Sequence, residues 1–189
     1  ASIAYVGALL DQYFVHEAMA HPLIYRYLEK METEEILPSV PPVPNTDLQA
    51  YLQLILERFA NPKIGDTIAR LCFDGSNRQP KFVLPSTRDR LQAGASVTGL
   101  ALESALWCRY WGGLSEGGKD MQPEDSQASR LRKLAERSKT EPLAFLKLQD
   151  VFGDLAESEA FQQSFQNALQ HLWQHGIAKT LQSYLDDHL

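Results

Sequence analysis

Apolar residues recur at helical spacing along almost the whole chain, and no β-α-β alternation interrupts them. The chain is therefore expected to be all-α, a bundle of roughly eight to ten helices, with no Rossmann unit of its own. The pattern starts at once: Ile3, Val6, Leu9 or Leu10, and Tyr13 line one face of a helix from about Ser2 to Phe14. A second helix is expected between His21 and Leu37, with Pro22 in its first turn, where a missing N–H costs nothing. Pro38-Ser-Val-Pro-Pro-Val-Pro44 reads as an extended connector. Thr46 and Gln49 then suggest a capping box for the cleanest amphipathic stripe in the chain, Leu48, Tyr51, Leu52, Ile55, Leu56 and Phe59.

Asn61-Pro62 breaks that helix, and a short one from about Ile64 to Phe73 ends at Asp74-Gly75. Residues Ser76 to Pro85 read as a polar loop, briefly extended at Lys81-Phe-Val-Leu84. Ser86 or Thr87 is expected to cap a helix that stops at Gly94. A further helix spans about Thr98 to Trp111, followed by a Gly-rich surface loop over Leu114–Ser126. Helices follow near Ser126–Ser138 and Pro142–Val151. The last, over Ser158–Tyr184, is interrupted at Gly176; Phe161, Phe165, Leu169 and Leu172 mark its first buried stripe.

With 189 residues, 44% of them hydrophobic, the chain has the size of a single domain with a real core. The two cysteines, Cys72 and Cys108, each sit in apolar surroundings and read as reduced core thiols, which points to the cytoplasm. No long apolar span and no secretory leader pattern is visible, so neither a membrane nor export is expected. A net charge of −6 argues against nucleic acid as a partner. The charge is uneven: Arg58 to Arg90 carries seven basic and three acidic residues, so this segment can face an oxygen-rich or anionic ligand. The chain has no initiator Met and no acidic first turn, and is expected to be part of something longer.

Few sites stand out by chemistry. His171 and His175 are four apart on a helix, but no H-E-x-x-H pattern and no third ligand accompanies them, so no metal is expected. His16 and His21 share no face, and no nucleophile elbow or reactive-cysteine signature is present. Trp107, Tyr110 and Trp111 read as core, not as a ligand platform. The guanidinium groups of Arg70 and Arg78, set around the Asp74-Gly75 turn, are suited to grip hydroxyl or carboxylate oxygens by several hydrogen bonds.

The run Arg58-Phe-Ala-Asn-Pro-Lys-Ile-Gly-Asp-Thr-Ile-Ala-Arg70, followed by Asp74-Gly-Ser-Asn-Arg78-Gln-Pro and Leu84-Pro-Ser-Thr-Arg-Asp89, resembles the C-terminal domain of the mannitol dehydrogenase family. The opening Ala1-Ser-Ile-Ala-Tyr-Val-Gly7, the Leu100–Tyr110 helix, the Asp150-Val-Phe-Gly-Asp154 turn and Gly176-Ile-Ala-Lys-Thr-Leu181 fit as well. The resemblance implies a helical domain like the C-terminal domain of 6-phosphogluconate dehydrogenase, with residues 1–189 forming one substrate-binding domain. It implies a longer enzyme whose N-terminal Rossmann domain binds NAD or NADP and whose zinc-independent chemistry interconverts a polyol with its ketose, D-mannitol with D-fructose. The family's catalytic Lys, Asn and His would precede Ala1, so this chain holds no catalytic residue. Substrate-contacting positions carry over to Arg70 and to Arg78, where the family usually has Lys; Asn77 and Lys81 are expected to shape the same loop. Two alternatives stay open: a hexuronate reductase acting on fructuronate or tagaturonate, since two Arg residues suit a carboxylate equally, and a helical interaction module without chemistry.

Overall fold

The computed structural model describes residues 2–189; Ala1, where the family-like opening segment starts, lies outside them. Among the described residues twelve α-helices follow one another, several of them very short: α1 (Ser2–Leu9), α2 (Val15–Ala20), α3 (Pro22–Met31), α4 (Leu48–Phe59), α5 (Ile68–Cys72), α6 (Gly75–Phe82), α7 (Leu84–Gln92), α8 (Thr98–Trp111), α9 (Ala128–Arg137), α10 (Gln149–Phe152), α11 (Glu159–His175) and α12 (Ile177–Leu185). A π-helical turn, Glu32–Ile36, extends α3, and 3-10 turns fill Leu37–Ser39, Pro62–Ile64, Pro142–Lys147 and Gly153–Glu157. Among the described residues there is no sheet, only two isolated antiparallel bridges.

The centre is α8, buried on every side: Gly99 to Cys108, Tyr110 and Trp111 are all inaccessible. A helix apolar all round belongs in the interior of a bundle. α11 packs along it, α1 lies against both α8 and α5, and α12 packs on α3. Trp107 anchors an aromatic cluster, edge-on to Phe145 at 5.0 Å between centroids and flanked by Phe152. The Phe161–Phe165–Leu169–Leu172 stripe is buried as expected, and Gly176, at φ +84°, divides α11 from α12. Ser158 caps α11 through its hydroxyl.

Local caps explain some helix starts and distant side chains explain others. The N-cap residue of α8, Val97, has no side chain that can cap, and from the flank only Ser96 Oγ accepts, from Thr98 N at 3.3 Å. Glu35, carried inward by the π-helical turn, instead accepts from Gly99 N (2.6 Å) and Leu100 N (3.0 Å). A carboxylate on those exposed N–H groups is the favourable pairing for a helix N-terminus.

Several expectations are corrected. The first helix stops at Leu9, because Asp11 adopts φ +60°, and Phe14 pairs with Thr67 before α2 begins. The cap of α4 is Asp47, which accepts from Gln49 N and Ala50 N, in place of a Thr46–Gln49 box. Pro38 falls inside a 3-10 turn. The stripe on α4 is the largest departure: only Leu52 and Leu56 are buried, while Tyr51 and Phe59 are exposed, because only α2 packs substantially against this helix. Ser76 to Pro85 is not a loop with an extended end but helix α6 and the start of α7, so Ser86 and Thr87 lie inside α7.

Candidate functional site

Arg70 projects from α5, a helix of five residues whose position is set on both sides. The bridge between Phe14 and Thr67 is closed by Val15 N donating to Asp66 O and Ile68 N donating to Tyr13 O, each at 3.0 Å. Thr67 then caps the helix by accepting from Arg70 N at 3.3 Å. Ile68 and Cys72 turn into the core, leaving Arg70 outward with its side chain 64% exposed. The Arg70 guanidinium donates through Nε and Nη2 to the two oxygens of Asp66, one turn earlier. This fork-to-carboxylate pair holds the guanidinium plane in one orientation. It also draws the Asp66 carboxyl below the usual carboxylate range and raises Arg70 further, each through the hydrogen bond to the other. The remaining N–H groups of Arg70 stay available to a ligand.

Arg78 sits on α6, a helix whose sequence argues against it. Gly75 starts it, and Pro80 interrupts its ladder. Two remote carboxylates compensate. Asp125 accepts from Ser76 N (2.8 Å) and Ser76 Oγ (2.6 Å), capping the first turn. Gln79, wholly buried, donates from Nε2 to both oxygens of buried Glu103 on α8, at 2.9 and 3.1 Å. Gly75 is required here for close approach: a Cβ at that position would lie 2.7 Å from Trp107 Nε1. Arg78, half-buried between these anchors, donates from Nη1 to Leu71 O at 3.2 Å.

The result is a cavity of about 290 Å³ that brings Arg70 and Arg78 together, walled by Phe73, Tyr110, Gln122 and Glu124. Burial first, then the neighbouring Cys72 and the Glu124 charge, push the Tyr110 phenol upward, so it stays protonated and can donate. The cavity thus offers guanidinium and phenol donors beside carboxylate and amide acceptors, a set suited to a chain of hydroxyl groups. Arg70 and Asp66 also border a larger concavity of about 560 Å³, lined by His16, Arg58 and the exposed end of α4 at Ile55 and Phe59.

Asn77 and Lys81 are not brought to the Arg70–Arg78 cavity. Asn77 donates to Asp74 Oδ1 at 2.8 Å, and Lys81 points to solvent; both are on α6, not on a loop. The basic segment is divided in the same way. Arg88 is used in a bond to Asp154 (2.7 Å) and Arg90 in bonds to Ser96 O, and neither lines the Arg70–Arg78 cavity. Gln122 and Glu124 went unrecognised in the sequence because they lie in the irregular Gly-rich loop, where no periodicity marks a face. Trp107 and Trp111 are core, and Tyr110 is both core and cavity wall. His171 is half-buried, its Nδ1 3.0 Å from Thr180 Oγ1 and its ring tilted at 55° to that of His175, 4.4 Å between centroids. Among the described residues no three metal-ligating side chains gather, and no described helix is long and apolar enough to cross a membrane. Cys72 and Cys108 are both buried and unpaired with each other, burial pushing each thiol up to about 12.

Comparison with known proteins adds an independent line. Residues 1–173 match the family model described as the mannitol dehydrogenase C-terminal domain. The chain is 50% identical over 185 residues to a mannitol 2-dehydrogenase of Cereibacter sphaeroides, covering 98% of this chain and 39% of that protein. It is 32% identical over 187 residues to a mannitol 2-dehydrogenase of Aspergillus terreus, covering 37% of it. Its structure superposes on Pseudomonas fluorescens mannitol 2-dehydrogenase, solved as a ternary complex with NAD and D-mannitol, with a TM-score of 0.93 at 30% identity, over 98% of this chain and 38% of that one. A D-sorbitol dehydrogenase in substrate-free form shares the fold, with a TM-score of 0.86 at 17% identity over 95% of this chain and 37% of that one. The chain therefore spans about two fifths of the length of the relatives it matches.

Proposed function

We propose, since this chain belongs to the mannitol dehydrogenase family and matches its C-terminal domain, that it forms the substrate side of an NAD(P)-dependent polyol dehydrogenase interconverting D-mannitol and D-fructose. The observation that carries the reading is the convergence of Arg70 and Arg78 on one cavity, at the positions where the family resemblance places substrate contacts. NAD is the better supported cofactor, because the solved relative is a complex with NAD and D-mannitol. The described residues contain no strand and glycine-rich turn to cradle a pyrophosphate, so they do not fit a dinucleotide. The cofactor and the general base belong in this reading to a preceding Rossmann domain of the same polypeptide.

What this chain supplies is alignment. An open-chain polyol has many rotamers, and hydride transfer needs one carbon held against the acceptor. Arg70, fixed by Asp66, and Arg78, fixed by the carbonyl of Leu71, present rigid forks to the remote hydroxyls. Fixing those hydroxyls places the reacting one within reach of the base.

The test is Arg70→Ala in the full-length polypeptide. Losing charge-assisted hydrogen bonds to the polyol lowers kcat/KM for D-mannitol by roughly tenfold to a hundredfold, with NADH binding, followed by fluorescence, unchanged. An unaltered kcat/KM would remove Arg70 from the substrate site.

A further inference from the structure

Two guanidinium groups in a small cavity would by themselves favour an anion, and a sugar acid would then be as good a ligand as a sugar alcohol. The cavity wall opposes this. Arg70 has its charge met by Asp66, through two hydrogen bonds at the back of the fork. Glu124 lies on the same cavity as Arg78, and among the described residues its carboxylate takes part in no hydrogen bond or ion pair. With Arg70 paired to Asp66 outside the cavity lining and Glu124 facing Arg78 on its wall, the charges at the site sum formally to zero.

The position of Glu124 is built, not incidental. Its backbone carbonyl accepts from Asp74 N at 3.2 Å, directly before α6, and its neighbour Asp125 caps that helix through Ser76. The preceding Met121 is tied to Gly113 by a 2.8 Å backbone bond. The segment that carries Glu124 is therefore locked to the helix that carries Arg78, while its side chain stays exposed to the cavity.

We propose that Glu124 is a specificity-determining residue: its carboxylate accepts hydrogen bonds from the uncharged hydroxyl chain of a polyol or ketose and repels a substrate that ends in a carboxylate. The inference rests on the reading of Arg70 and Arg78 as substrate contacts. A like charge placed across a small cavity is the simplest repulsive element by which a site rejects a near-isosteric anion.

The experiment compares Glu124→Gln, Glu124→Asp and the unaltered protein, each as full-length polypeptide, with NADH and either D-fructose or D-fructuronate as substrate. The readout is the ratio of the two kcat/KM values, which a general structural defect would not move. The unaltered protein is expected to favour D-fructose, Glu124→Gln to shift the ratio toward D-fructuronate by roughly tenfold or more, and Glu124→Asp to keep the original preference. A ratio that moves by less than about twofold in Glu124→Gln, while D-fructose is still reduced, overturns the role of Glu124 and leaves the polyol dehydrogenase reading standing. Failure of the unaltered protein to reduce D-fructose overturns that reading, and the inference with it.

Discussion

The carboxyl of Glu103 is wholly buried on α8, and its hydrogen-bond partner, Gln79, is an uncharged amide. Burial pushes it up to about 7 from an ordinary value of 4.5, even though the Gln79 bonds lower it. Gln79 Nε2 donates to both Glu103 oxygens, while Gln79 Oε1 has no hydrogen-bond partner. The consequence for stability has a definite sign. Below pH 4.5 the group is protonated in both folded and unfolded chains, and costs nothing. Between that value and about 7 the unfolded chain has lost the proton and the folded one has kept it, so stability falls as pH rises through this window. Above it the accumulated loss is roughly 3 kcal/mol.

Glu103→Gln isolates this contribution. The amide has the same shape and does not titrate. Urea denaturation of both proteins across the pH range reads the difference in unfolding free energy, and every other titrating group cancels in it. The variant is expected to match the unaltered protein to within about 1 kcal/mol at pH 5 and to exceed it by roughly 2–3 kcal/mol at pH 8. A difference independent of pH would show that Glu103 titrates alike in the folded and unfolded chains, and the reasoning from burial would fail.

Two further outcomes follow from the same packing. Asp125→Ala removes the acceptor of both Ser76 N and Ser76 Oγ; it should cost about 1–2 kcal/mol in urea denaturation and raise KM for D-mannitol, because the helix carrying Arg78 loses its cap. Cys72 and Cys108, both buried with thiols pushed up to about 12, should fail to react with a disulfide reagent such as dithionitrobenzoate at pH 8 in the native protein and react fully in denaturant; fast native labelling would refute their burial.

The part of the site closest to legible was Arg70. Thr67 caps its helix from three residues away, and Asp66 pairs with it from four, so the whole arrangement lies within one short segment. The sequence singles out Arg78 but places it on a loop, where the structure has a helix. Its helix contains Gly75 and Pro80, and local propensity correctly disfavours it; the energy that offsets this comes from Asp125 and Glu103, respectively 49 and 24 residues away from their partners Ser76 and Gln79. Asn77 and Lys81 were grouped with it on the assumption of a loop, where neighbours share a ligand. On a helix successive residues point apart, and these two leave the cavity.

The amino-acid pattern alone determined the all-helical class, the span of α8 from Thr98 to Trp111, the start of the last helical stretch near Ser158, and the break at Gly176. Those features depend on periodicity, caps and backbone freedom, which act over a few residues. Tertiary structure decided the rest: that Glu35 closes the start of α8, that the stripe on α4 stays largely bare, and that Gln122 and Glu124 complete the cavity of Arg70 and Arg78. Each depends on groups far apart in the chain that meet only once the core has formed, and no local rule encodes which of them will meet.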